Sequence, residues 1–218
     1  MLFHTQPGST KQINKQTALI KATCITTLTD ARYFAARAVD YLGFNLEAGT
    51  RGYLDPIYMK AIREWVEGPR ITGEFSRSST ADIREAALFY GLDAVQVAAA
   101  VHLEQLADLA GIEVLLWIDT GNITPAQAIG MLEYARPYIS YAILDASTEG
   151  NLPLEWLTIC QQFPVLLHTN GTAAETKVQM EMFQPAGLSI SGGAEERTGV
   201  KSFEEIEEIL DGLLEERK

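Results

Sequence analysis

The sequence predicts a single-domain α/β fold, a TIM (β/α)8 barrel. Short apolar, β-branched runs alternate with helical patterns from residue 18 onward, and eight such pairs can be read. At 218 residues the chain lies near the short end of the range for that repeat count. No linker or low-complexity stretch divides it. A doubly wound open sheet is the structural competitor, but it usually has fewer strands, and its G-x-G-x-x-G fingerprint is absent.

Residues 1–17 are polar and hold no period, so they read as an N-terminal extension; residues 18–218 read as the barrel. The expected strands are Ala18–Thr23, Tyr41–Asn45, Arg70–Phe75, Ala94–Val97, Glu113–Ile118, Tyr138–Leu144, Pro164–His168 and Gly187–Ile190. Helix starts follow from their chemistry. Asp55-Pro56 sets a capping carboxylate before a proline that needs no N–H partner. Thr124 with Gln127, Thr172 with Glu175 and Ser202 with Glu205 are capping boxes, which satisfy orphan N–H groups at a helix start. Gly91 and Gly111 stand where left-handed caps end the third and fourth helices. In the last helix Phe203, Ile206, Leu210 and Leu213 repeat at helical spacing and are expected to face the sheet. The acidic run Glu204–Glu208 forms its solvated face.

Charge narrows the partners. Seventeen Lys and Arg against 29 Asp and Glu give a net charge of −12, which repels phosphate backbones and anionic lipid. Neither a nucleic acid nor a membrane is therefore an expected partner. Hydrophobic residues at 47% and charged ones at 21% exclude general disorder. The opening MLFHTQPGST lacks the pattern of a signal peptide, and no apolar run nears the ~20 residues of a membrane span. Cys24 and Cys160 are far apart in sequence and form no CxxC pair, which makes a reducing cytoplasm the expected compartment.

Barrel chemistry sits at the C-terminal ends of the strands. Those ends bring together Thr23, Cys24, Asn45, Glu74, Gln96, Trp117, Asp119, Asp145, His168 and Ser191. The last two loops, His168–Thr172 and Ser191–Glu195, carry glycines that let backbone N–H groups approach an anion. They form the expected phosphate cup, although Glu195 and Glu196 oppose an anion unless they point away. Metal chemistry is not expected: His4 lies in the extension, His102 near a helix start at the surface, and His168 is a lone strand-end histidine without ligand spacing. No G-x-S-x-G elbow is present.

The residues resemble one family along most of the chain. Ile20–Thr26 (IKATCIT) resembles the first-strand K-x-C-G-I-T motif of the phosphoribosylanthranilate isomerases. Thr29-Asp30-Ala31, Tyr41-Leu42-Gly43-Phe44, Gly91–Gln96 (GLDAVQ), Leu144-Asp145-Ala146, and Ser191–Glu195 with Gly199-Val200-Lys201 resemble later motifs in the same order. The resemblance implies a (β/α)8 barrel and an Amadori rearrangement in tryptophan biosynthesis, in which a phosphoribosyl aminoaldose becomes an aminoketose without a cofactor. It also implies a phosphorylated small-molecule substrate and a monomer or homodimer. The family's sixth-strand acid falls on Asp145. Its first-strand cysteine base falls on Thr23 and the following glycine on Cys24, so the thiol stands one residue late. A bulge at the strand end would turn Cys24 into the pocket; otherwise Cys24 is a small buried hydrophobe.

Cys24 and Asp145 are thus the catalytic candidates. Arg51, Gln96, Asn170, Gly171, Ser191, Gly192 and Gly193 are the candidates for substrate and phosphate. Several positions depart from the pattern. Ala98-Ala99 replace a His-Gly, residues 147–151 replace a G-G-T-G loop, and His168–Gly171 replace an A-G-G-L loop. Glu74 puts a charge where the family has an apolar residue, and facing the pocket it would repel a substrate carboxylate. Two functions follow: an isomerase of this type, or a non-catalytic or repurposed barrel that binds a phosphorylated small molecule or a protein partner.

Overall fold

The computed structural model describes residues 18–147, 152–192, 195–197, 200–201 and 203–215. Eight parallel strands close into a barrel: β1 (Leu19–Thr23), β2 (Tyr41–Asn45), β3 (Arg70–Phe75), β4 (Ala94–Ala98), β5 (Glu113–Asp119), β6 (Tyr141–Asp145), β7 (Val165–His168) and β8 (Gly187–Ser191). The ring shuts where β1 pairs with β8, from Leu19 opposite Gly187 to Thr23 opposite Ser191. Helices cover it outside: α1 (Leu28–Ala36), α2 (Pro56–Arg63), α3 (Thr80–Tyr90), α4 (Ala99–His102), α5 (Pro125–Ala135), α6 (Leu157–Gln162), α7 (Ala173–Phe183) and α8 (Glu204–Glu215). A small antiparallel pair, β9 (Glu195–Arg197) and β10 (Val200–Lys201), follows the barrel and has no counterpart in the sequence reading. No described helix is long and apolar enough to cross a membrane. The extension, Gly193 and the Ser202 cap lie outside the described residues.

The strand alternation sorts side chains into two cores. Ile20, Phe44, Val95, Leu116, Leu144, Leu167 and Leu188 point outward and pack with Phe34, Met59, Ile83, Leu132, Ile159, Phe183 and Leu210 of the helices. Tyr41, Ala94, Leu115, Ile143 and Leu166 point inward and fill the barrel. The period of two then sends Thr23, Glu74, Gln96, Asp145 and His168 inward at the C-terminal end. At the opposite end Tyr41 donates to Glu113 at 2.8 Å, and Arg70 pairs with Glu113, which closes the floor.

Most start and stop signals act as read. The Thr124–Gln127 and Thr172–Glu175 capping boxes are both formed, Asp55 caps α2 ahead of Pro56, and Gly91 ends α3 with φ 62°. Ile206 and Leu210 of α8 are buried, and Phe203, just before that helix, stacks on Tyr33 of α1 with ring centroids 4.1 Å apart.

Three expectations are corrected. The sixth strand begins at Tyr141, not Tyr138, because Pro137 ends α5 and the Tyr138 N–H donates back to the Ala135 carbonyl at 2.8 Å. The fourth helix is one α-turn continued as a 3-10 segment over Leu103–Leu109, so Gly111, with φ 88°, ends a tighter coil than expected. His102 is buried, not at the surface. That single turn tucks its ring between the carbonyl oxygens of Ala98 at 3.1 Å and Ser78 at 2.9 Å.

Candidate active site

The mouth of the barrel is built on a buried ion pair. Lys21 of β1 is fully buried, and its ammonium bonds the carboxylate of Glu74 on β3. The Thr23 hydroxyl donates to the same carboxylate oxygen. Gly43, on the strand between them, makes the room: a side-chain carbon there would overlap the Glu74 carboxylate and sit 2.6 Å from the Lys21 nitrogen. Burial pushes the Glu74 carboxyl up, but Lys21 and the other donors outweigh it and hold the group below its ordinary value, as an anion. The charge that Glu74 brings is therefore largely neutralised within the wall, which weakens the expected repulsion of a substrate carboxylate.

Cys24 follows β1 with φ 54°, a left-handed backbone that glycine adopts at less cost. No bulge is needed to turn it. The residue is exposed, which corrects the buried-hydrophobe alternative. Its N–H donates to Glu74 Oε2 at 3.1 Å, and its thiol leans on the same oxygen at 3.6 Å. Burial of the sulfur and the Glu74 charge push the thiol up to about 12, so at neutral pH it keeps its proton.

Across the mouth stand Asp145 and His168, which pair in register at the ends of β6 and β7. Asp145 Oδ1 accepts the Ser147 N–H at 3.0 Å. His168 is buried, its Nδ1 lies 3.0 Å from the Ser189 carbonyl, and its ring meets Trp117 at 4.8 Å between centroids. Burial pulls the imidazole below its ordinary value. Asp145 opposes that, Lys21 adds to it, and Glu74 opposes it, so these groups act on the ring across the mouth of the barrel. Gln96 Oε1 is buried without a partner among the described residues, on the strand beside Glu74.

Other rim residues hold loops. Asn45 binds Thr50 Oγ1 and the Arg51 carbonyl, each at 2.9 Å, and the Arg51 residue itself is exposed. Asp119 caps the turn after β5 by accepting the Gly121 N–H at 3.0 Å. Asn170 is exposed, and the Gly171 N–H donates to Thr169 at 3.0 Å, so that amide already has a partner. Ser191 and Gly192 are half-buried at the end of β8. Glu47, which the sequence reading missed, is buried and accepts the N–H groups of Ser76, Arg77 and Ser78 at 2.9, 2.8 and 2.9 Å, tying the loop after β2 to the loop after β3. Lys21 was missed as well, although it stands in the first-strand motif. Among the described residues no three His, Cys, Asp or Glu side chains converge as a metal would require.

No family model matches the chain. The N-(5′-phosphoribosyl)anthranilate isomerase of Deinococcus radiodurans is 25% identical over 205 residues, covering 89% of this chain and 95% of that protein. The chain is thus similar over nearly its whole length to a phosphoribosylanthranilate isomerase. The solved structure of the Thermus thermophilus isomerase superposes with a TM-score of 0.74 at 21% identity, covering 92% of this chain and 100% of that one. A phosphoribosylanthranilate isomerase solved with reduced 1-(o-carboxyphenylamino)-1-deoxyribulose 5-phosphate gives 0.76 at 18% identity, covering 91% and 99%.

Proposed function

We propose that the chain isomerises a phosphorylated ribosyl amine, N-(5′-phosphoribosyl)anthranilate or a close analogue, from aldose to ketose, with Asp145 as proton donor. The observation that carries this reading is an inward carboxylate at the end of β6 in a chain whose relative over 205 residues is an isomerase of this substrate. A proton delivered to the ring oxygen breaks the C1–O bond and leaves an iminium between C1 and nitrogen. Loss of the C2 proton sends that electron pair into the C1–C2 bond and returns the iminium pair to nitrogen. The enaminol then becomes the ketone as one proton leaves the 2-hydroxyl and one arrives on C1. Atoms and electrons balance without oxidant or reductant, so the proposed reaction consumes no cofactor.

In this reading Gln96 offers its unpartnered oxygen to a sugar hydroxyl. Arg51, Asn170, Gly171, Ser191, Gly192 and Gly193 are proposed to take the phosphate and the substrate's outer groups. Support comes from the loops after β2, β7 and β8, which leave the barrel at the same end as Asp145. Cys24 is proposed to line the opposite wall of the same cavity, with its proton aimed at Glu74. Turnover of N-(5′-phosphoribosyl)anthranilate by the purified protein, lost in Asp145→Asn, is the expected result. Wild-type protein without turnover, or full activity in that variant, overturns the proposal.

A further inference from the structure

We propose that His168 is the group that takes the carbon-bound proton; this rests on the isomerase reading above. The reaction needs an acceptor at C2 as well as a donor at the ring oxygen, and both sugar atoms are bonded to C1. Donor and acceptor on neighbouring strands, about 4.8 Å apart, suit that separation. Asp145 and His168 are such a pair.

The tautomer decides the chemistry. His168 Nδ1 lies 3.0 Å from the backbone oxygen of Ser189, and a carbonyl can only accept, so Nδ1 carries the hydrogen. In the neutral ring Nε2 is then a bare lone pair, and it has no hydrogen-bond partner among the described residues. Trp117 packs on the ring, tilted 53°, and limits its rotation. The titratable groups that face it are Asp145 from β6, Lys21 from β1 and Glu74 from β3. Burial is the largest of these influences and keeps the ring neutral at pH 7.

The other candidates serve less well. The Cys24 thiol holds its own proton, and the Glu74 carboxylate already receives Lys21, Thr23, the Cys24 N–H and the Cys24 thiol. In the proposed step Nε2 accepts the C2 proton while the C–H pair moves into the C1–C2 bond. The imidazolium so formed stands beside the Asp145 carboxylate, which has just lost its proton, and the opposite charges attract.

The test is kinetic. His168→Asn keeps a donor near Nδ1 and deletes Nε2. It is expected to lower kcat by about 10²–10⁴ with a much smaller change in KM. The wild-type kcat/KM profile is expected to fall on the acid side as His168 protonates, below the ordinary histidine range, and the variant is expected to lose that limb. Added imidazole is expected to restore part of the activity of His168→Ala. Should His168→Asn fail to fold, His168→Gln carries the same readings. Wild-type kcat in either variant, an unchanged acid limb, or a proton on Nε2 by nitrogen NMR of the neutral ring overturns the role of His168 and leaves the isomerase reading standing. Wild-type protein that does not turn over the substrate overturns both.

Discussion

On the β1–β3 side of the mouth both oxygens of Glu74 have donors, and Lys21 is sealed beneath them. On the β6–β7 side His168 is tied at one nitrogen only, and Asp145 at one oxygen among the described residues. The first arrangement spends its polar groups on one another. The second leaves one ring nitrogen and one carboxylate oxygen without a hydrogen-bond partner among the described residues. A buried charge needs its partners to stay buried, whereas proton transfer needs an atom with none. In the proposed reading the same barrel end divides into a wall and a working face.

The largest expected effect falls on the working face. Asp145→Asn should lower kcat by as much as about 10⁴ while leaving the thermal midpoint close to wild type. A loss of folding with the loss of rate would place Asp145 in the wall instead.

Next in size is the wall itself. Glu74→Gln strands a buried ammonium and should cost about 3–5 kcal/mol in urea unfolding. Replacing both Lys21 and Glu74 by Met should recover most of that. Failure to recover would show that the two charges are not a unit. Folded Glu74 sits below its ordinary value, so near pH 4 the unfolded chain binds more protons than the folded one. Its contribution is full above the ordinary carboxylate range and is lost as pH falls through the folded value. The double variant should therefore lose less stability on acidification than wild type.

Gly43→Ala, which presses a methyl group against the pair, should cost about 1–3 kcal/mol. Wild-type stability in that variant would mean the pair can shift freely.

The smallest effect is one of reactivity. With its thiol at about 12, Cys24 should be alkylated slowly near neutral pH although it is exposed. The rate should rise about tenfold per pH unit. Glu74→Gln removes the raising charge and leaves Lys21, so labelling of Cys24 should accelerate. Rapid labelling of the wild type at pH 7 would move Cys24 from the wall to the working face.

Much of this was legible in the chain. Apolar runs of period two and capping boxes such as Thr124–Gln127 are local signals, and the strands and helices that they predict appear with few shifts. The place of Asp145 at the end of the sixth strand was legible because an apolar run leads up to it. His102 was not, since a helix of a single turn leaves no periodic trace to show which way the ring points. Lys21 reads in sequence as an ordinary charge within a strand. Only the pairing of β1 and β3 to either side of β2 brings it to Glu74, fifty-three positions away.

Sequence alone determined the repeat of eight units and the capped helix starts, because each depends on neighbours a few residues apart. Tertiary structure decided which of the strand-end groups hold one another and which keep an atom without a partner among the described residues. Thr23 and Cys24 turn to Glu74, and His168 turns to Ser189, through contacts between strands distant in sequence. A proton's preferred atom depends on burial and on the charges across a few ångströms of space, and chain order does not encode those distances.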